Sequence, residues 1–226
     1  MLESENAGKW GLVEWERDQM TWDELDVAYE FAREHGIPFR FHTLVWGRTQ
    51  PAWLGRLTDE ELRVEVEEWI TLAGERYPAA DFIDVVNEPL HVEPPYVWAL
   101  GGPGETGFDW VITSFELARQ HFPDAKLGVN DFDILKDEFA VRAYLKLITL
   151  LKERGLIDTI GVQAHGIEDV PAETIRGNLD RLAEAGLPIY VTELDLAIED
   201  DARQAERMRE LVTLFWEHPA VHGVTL

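Results

Sequence analysis

Short apolar runs alternate with amphipathic stretches along the whole chain. The runs lie at Phe39–Thr43, Phe82–Val86, Lys126–Asn130, Thr159–Gln163, Pro188–Thr192 and Gly223–Leu226, with a weaker one at Leu2–Ser4. Brief β-branched or apolar runs bounded by turn formers predict strands buried on both faces, as in a parallel sheet. Helical periods fill the intervals. Leu62, Val66, Trp69, Ile70 and Ala73 form one apolar stripe. Val111, Phe115, Ala118 and Phe122 form a second, and Ala205, Met208, Val212 and Phe215 a third. Thr21 with Glu24 and Thr58 with Glu61 read as capping boxes, in which a hydroxyl and a carboxylate satisfy free N–H groups at a helix start. Gly36, Gly155 and Gly186 stand where left-handed helix ends are expected.

Repeated βα units joined by right-handed crossovers leave two architectures, an open doubly wound sheet or a closed barrel. No Gly-x-Gly-x-x-Gly turn follows the first strand, which argues against a dinucleotide-binding sheet. Polar residues collect instead at the end of almost every predicted strand: Glu5 and Asn6, His42, Asn87 and Glu88, Asn130 and Asp131, Gln163 and His165, Glu193 and Asp195. In a (β/α)8 TIM barrel such positions share one mouth, where barrel enzymes keep their chemistry. The α/β pattern is therefore read as a (β/α)8 barrel. It supplies seven strands and not eight, so the barrel is expected to be incomplete. Two open sheet edges would follow, to be closed by a missing segment or a partner chain.

The chain has 226 residues, 46% hydrophobic and 11% aromatic. At roughly 100–200 residues per domain, that is one large domain or two small ones. With no Ser-, Gly- or Pro-rich linker, a single domain over residues 1–226 is expected. Twenty Lys and Arg oppose 44 Asp and Glu, a net charge of −24. That field repels phosphate backbones and anionic lipid, so neither nucleic acid nor a membrane surface is an expected partner. No stretch approaches the roughly 20 apolar residues of a membrane span, and the opening MLESENAGKW lacks the pattern of a signal peptide. Cysteine is absent, which excludes disulfides, thiolate nucleophiles and Cys-ligated zinc.

Most acidic residues sit in runs such as Glu65-Val66-Glu67-Glu68 and Glu199-Asp200-Asp201, read as solvated helix faces. Glu88 and Glu193 stand apart because each ends an apolar strand. A carboxyl at a barrel mouth is partly desolvated and open to tuning by neighbours. Glycoside hydrolysis needs two such groups: one protonated to expel the leaving sugar, one ionised to attack the anomeric carbon or activate water. On spacing alone, two unrelated structural carboxylates remain an open reading. Nine tryptophans offer flat faces for sugar rings. Trp10, Trp46 and Trp53 follow strand-end motifs and are expected along a cleft, whereas Trp22, Trp69, Trp110 and Trp216 fall on helical stretches and are expected in the core. His42, His165 and Glu88 lack the close spacing of a metal site, so no metal and no cofactor is expected. His35, His121, His218 and His222 are expected at helix ends or in loops.

Six segments together resemble family 10 of the glycoside hydrolases. They are Glu5-Asn6-Ala7-Gly8-Lys9-Trp10, His42-Thr43-Leu44-Val45-Trp46, Asp84-Val85-Val86-Asn87-Glu88-Pro89, Asn130-Asp131-Phe132, Gly161-Val162-Gln163-Ala164-His165 and Val191-Thr192-Glu193-Leu194-Asp195. Each lies at a strand end, in the family's order. The resemblance implies an extracellular endo-β-1,4-xylanase that cuts xylan or xylo-oligosaccharides with retention, Glu88 being the general acid/base and Glu193 the nucleophile. It also implies that Asn87 binds the sugar 2-hydroxyl and that Glu5, Asn6, Lys9 and His42 read hydroxyls on the non-reducing side. Trp46 would line the cleft, and Gln163 and Asn130 would support these contacts. An ionised nucleophile needs donors; His165 is the natural one, with Asp195 to orient or charge its imidazole. A barrel hydrolase acting on another β-linked glycan, and a non-catalytic or impaired fragment that binds xylan, remain alternatives. Gly47 stands where many members carry His, and Phe132 where Tyr is common, and the resemblance implies that the barrel's first strand and terminal helix are not in the chain.

Overall fold

The computed structural model describes residues 1–226. Seven strands lie side by side in chain order: β1 (Leu2–Glu3), β2 (Phe39–Trp46), β3 (Phe82–Asn87), β4 (Lys126–Asp131), β5 (Thr159–Val162), β6 (Ile189–Val191) and β7 (Val221–Val224). Helices α1 (Trp10–Val13) and α2 (Asp23–His35) follow β1. Then α3 (Asp59–Arg76), α4 (Asp109–His121), α5 (Glu138–Glu153), α6 (Ala172–Ala183) and α7 (Asp201–Glu217) alternate with the remaining strands. Every adjacent pair is parallel, and the winding never reverses. That order belongs to a (β/α)8 barrel and not to a doubly wound sheet, whose strand order turns back. The barrel is incomplete, with β1 and β7 as its edges. No helix is long and apolar enough to cross a membrane.

All of β3 and all but the last residue of β2 are buried, as strands covered on both faces must be. β2 runs on past the expected Thr43 to Trp46, its register shifting between His42 and Val45, so His42 sits inside the strand. The last strand is Val221–Val224, set back from the expected Gly223–Leu226.

The α3 and α4 stripes pack as their spacing predicts, with Trp69, Ile70, Val111 and Phe115 buried. Trp69 is the middle of three parallel indoles, 5.7 Å from Trp10 and 5.4 Å from Trp22. This stack explains two departures from expectation. Trp10 is core and not cleft, and buried Trp22 occupies the N-cap position of α2 without a side-chain capping bond, so no Thr21–Glu24 capping box forms. The Thr58–Glu61 box does form on α3: the Glu61 amide donates to the Thr58 hydroxyl at 3.3 Å, and the Thr58 amide to the Glu61 carboxylate at 2.9 Å. Gly36, Gly155 and Gly186 are all left-handed after their helices.

Glu65 is buried, not solvated. It lies four residues before Trp69 on the inward stripe, and Arg17 pairs with it. On α7 the buried face is Leu211, Leu214 and Phe215, whereas Ala205 and Val212 are exposed and Trp216 is 87% exposed. Trp216 follows inward-facing Phe215 by one position, about 100° around the helix, which turns it to solvent.

Candidate active site

Parallel register brings the strand ends level. Asn87 of β3 pairs with Trp46 on one side and with Asn130 on the other, and Asn130 pairs with Gly161 of β5. A Cβ at Gly161 would sit 2.6 Å from the Asn130 Oδ1, so only glycine leaves that amide its place. Asn130 Nδ2 donates to Glu193 Oε1 at 2.7 Å and lies 3.2 Å from Asn87 Oδ1. Its own Oδ1 accepts from the Thr192 hydroxyl at 2.8 Å, which fixes the amide's orientation.

Glu193 lies just past β6, its backbone amide still donating to Gln163 O. Its Oε2 accepts from His165 Nε2 at 3.2 Å, and His165 Nδ1 donates to Asp195 Oδ1 at 2.8 Å. The bond to Glu193, reinforced by Asp195, raises the His165 pKa to about 9, so this imidazole is a cation at neutral pH. Burial by itself would push the Glu193 pKa up; the bond to His165, the nearby charge of His42 and the Asn130 amide outweigh it and hold the carboxyl below its ordinary range. Glu193 is therefore ionised.

Glu88 lies one residue past β3 and is buried. Gln163 Nε2 donates to Asn87 Oδ1 at 3.1 Å and reaches Glu88 Oε1 at 3.4 Å. Arg48 Nε stands 3.8 Å from Glu88 Oε2. Glu88 and Glu193 line one cavity of about 370 Å³ together with Trp46, Asn87, Gln163 and His165. A second lobe, also about 370 Å³, opens between the ends of β1 and β7 and is walled by Glu3, Glu5, Thr225 and Leu226. Lys9, His42, His165 and Glu193 border both lobes, so the two make one cleft with Glu193 at its centre.

Lys9 Nζ donates to Asn6 Oδ1 at 2.8 Å and sits 4.8 Å above the Trp46 ring, bordering the cleft as expected. Asn6 itself is exposed and serves Lys9. Trp53 packs edge-on against Trp10 and borders a separate groove with Trp15, not the cleft of the two glutamates. Phe132, the departure from tyrosine, does line that cleft.

A buried charge cluster reaches the cleft at Glu3 and His42. His42 Nδ1 is 3.0 Å from Asp84 Oδ2 and 3.5 Å from Glu3 Oε1, and Arg40 Nη1 donates to Asp84 Oδ1 at 2.7 Å. Burial and the Asp84 charge raise the Glu3 pKa to about 7. Burial opposes the charge on His42, but the bond to Asp84 outweighs it and the pKa rises. The signal in the sequence was Asp84 itself, a carboxylate in mid-strand among Ile83, Val85 and Val86, with Arg40 in register two strand positions before His42. Glu3, His42 and Asp84 converge closely enough to hold a cation, as do Glu14, Asp18 and Glu65. Arg40 and Arg17 already supply the positive charge at these two places. His218 and His222, four residues apart, diverge: His218 is buried against Asp180 and His222 is exposed.

A barrel mouth with one anchored carboxylate and a second glutamate in the same cleft is the arrangement of the glycosidase class. The family model described as Glycosyl hydrolase family 10 matches residues 1–226. The chain belongs to that family. It is 36% identical to endo-1,4-beta-xylanase B of Cellvibrio japonicus (strain Ueda107), the match covering 98% of this chain and 36% of that protein. It is 31% identical to the anti-sigma-I factor RsgI6 of Acetivibrio thermocellus, covering 98% of this chain and 29% of that one. The crystal structure of xylanase 10B from Thermotoga petrophila RKU-1 in complex with xylobiose matches with a TM-score of 0.85 at 30% identity, covering 98% of this chain and 71% of that one. The chain thus spans about a third of the length of these curated relatives.

Proposed function

We propose that this chain hydrolyses internal β-1,4-xylosidic bonds of xylan with retention, through a covalent glycosyl-enzyme. One observation carries the reading: Glu193 is held ionised by His165 and Asn130, and Glu88 borders the same cleft. Glu193 attacks the anomeric carbon as the bond to the leaving sugar breaks, and Glu88 gives its proton to the departing oxygen. Esterified Glu193 carries no charge, which favours Glu88 as the carboxylate. Glu88 then takes a proton from water as the water oxygen attacks the anomeric carbon and frees Glu193. Retention requires carboxyls roughly 5–5.5 Å apart. The meeting of Asn130 and Gln163 on one oxygen of Asn87 supports a short span between the glutamates they hold. In this reading Asn87 meets a sugar 2-hydroxyl, and Lys9, Glu5 and His42 read further hydroxyls. The xylobiose complex of the Thermotoga petrophila relative supports xylose units as ligand. The lobe between β1 and β7 supports a further strand, from the same polypeptide or a partner, closing the barrel.

The test is reducing-sugar release from xylan by this chain and by Glu193→Ala, with the first-formed anomer read by NMR. Release of the β-anomer first, lost in Glu193→Ala, is expected. The α-anomer first, or an active Glu193→Ala, overturns the mechanism. Bound xylan with no release by the unmodified chain would point to the non-catalytic reading, and faster release from mannan or cellulose to another glycan.

A further inference from the structure

We infer that Asp131 and His91 form a brace that sets Glu88 for proton transfer, with His91 a positioning residue that does not itself touch the substrate. The inference rests on the hydrolase reading and deepens it. Glu88 adopts φ 56°, in the left-handed region. A non-glycine residue is strained there and persists only where its surroundings impose it. The surroundings are specific. The Glu88 amide donates to Asn130 O at 2.8 Å, and the amides of His91 and Val92 both turn back to Glu88 O at 3.1 Å. The next strand end then grips this turn through one carboxylate. Asp131, whose side chain is fully buried, accepts from the Leu90 amide at Oδ2 (3.0 Å) and from His91 Nδ1 at Oδ1 (2.7 Å). The same Oδ1 accepts from the Phe132 amide at 2.8 Å.

His91 also lies flat on Phe132, the ring centroids 3.7 Å apart, and Phe132 borders the cleft beside Glu88. Asp131 therefore ties the turn that carries Glu88 to the segment that carries Phe132, and His91 touches both. A buried carboxylate needs donors to stay in place. Without the His91 N–H, Asp131 keeps only the Leu90 and Phe132 amides as donors, and the turn is left with the Leu90 amide alone on that carboxylate.

Two variants separate the bond from the ring. His91→Phe keeps an aromatic face on Phe132 and removes the donor; His91→Asn keeps an N–H donor and removes the ring. The readout is kcat/KM on xylohexaose, whose leaving group needs a proton, against kcat/KM on dinitrophenyl xylobioside, whose leaving group does not. His91→Phe is expected to lose about tenfold or more on xylohexaose and less than about twofold on the activated substrate, with His91→Asn close to the unmodified chain on both. Should His91→Phe not fold, Asp131→Asn is expected to show the same split. Equal loss on both substrates, or no loss in either variant, overturns the brace while leaving the hydrolase reading intact. An unmodified chain that cleaves neither substrate overturns both.

Discussion

Asn130 and Glu193, 63 residues apart in the chain, meet through a 2.7 Å hydrogen bond at the centre of the cleft. Thr192 holds the amide so that its N–H faces the carboxylate. Asn130→Asp would replace that donor with a second negative charge and raise the Glu193 pKa by like-charge repulsion. A loss of at least about 100-fold in kcat/KM is expected, with the acid limb of the pH profile moved to higher pH. An unmoved acid limb would show that Glu193 does not depend on this amide.

Glu88→Ala should separate substrates by their leaving groups. For xylo-oligosaccharides kcat/KM should fall by about 100-fold or more, the usual contribution of a general acid, whereas an activated aryl xyloside should lose far less. Equal losses would remove Glu88 from the acid/base role.

His165 should titrate near pH 9 when followed by NMR. Its folded pKa lies above the unfolded value of about 6.5, so its bond to Glu193 contributes stability fully below that value and loses it as pH rises through about 9. Glu193 sets the other side: its lowered pKa makes its contribution present above the ordinary carboxylate range and lost as pH falls through the lowered value. Asp195→Asn should bring the His165 midpoint down. A His165 midpoint at or below pH 7 in the unmodified chain would contradict the charged pair.

Glu3, with a pKa of about 7, gives the opposite slope. A folded carboxyl binds its proton where the unfolded one has released it, so stability falls as pH rises from about 4.5 to about 7. Urea unfolding of Glu3→Gln across that window should show a shallower fall than the unmodified chain. An identical slope would mean that Glu3 is already ionised at pH 5.

Trp69→Ala should cost about 3–5 kcal/mol in urea unfolding, the range for emptying a large buried aromatic site. It removes the centre of the stack with Trp10 and Trp22 and the indole donor to Leu44 O at 2.8 Å. Trp216→Ala, on the exposed flank of α7, should stay within about 0.5 kcal/mol. Comparable losses at the two sites would mean that α7 packs differently.

Much of this architecture was legible beforehand because strand and helix periods are local. Seven apolar runs became seven strands in chain order, and the α3 and α4 stripes went inward. The strand-end rule also placed Glu88, Glu193, Asn87, Gln163 and His165 at one cleft. Trp10 and Trp216 depart from expectation because one aromatic in a motif or on a helix does not say which neighbour covers it. His91 and Glu3 carry no local signal for a related reason: each acquires meaning only from a carboxylate far along the chain, Asp131 on the strand beside the His91 turn and Asp84 two strands away from Glu3.

The order of residues was enough to specify a parallel βα chain with its polar side chains at one end of the strands, since both follow from short-range periodicity. The charge states and partnerships at the cleft came from folding. Glu193 is drawn below the usual carboxylate range, and Glu3 is driven above it, by groups tens of residues away. Desolvation and Coulomb interaction depend on distance through space, and no spacing along a chain states that distance.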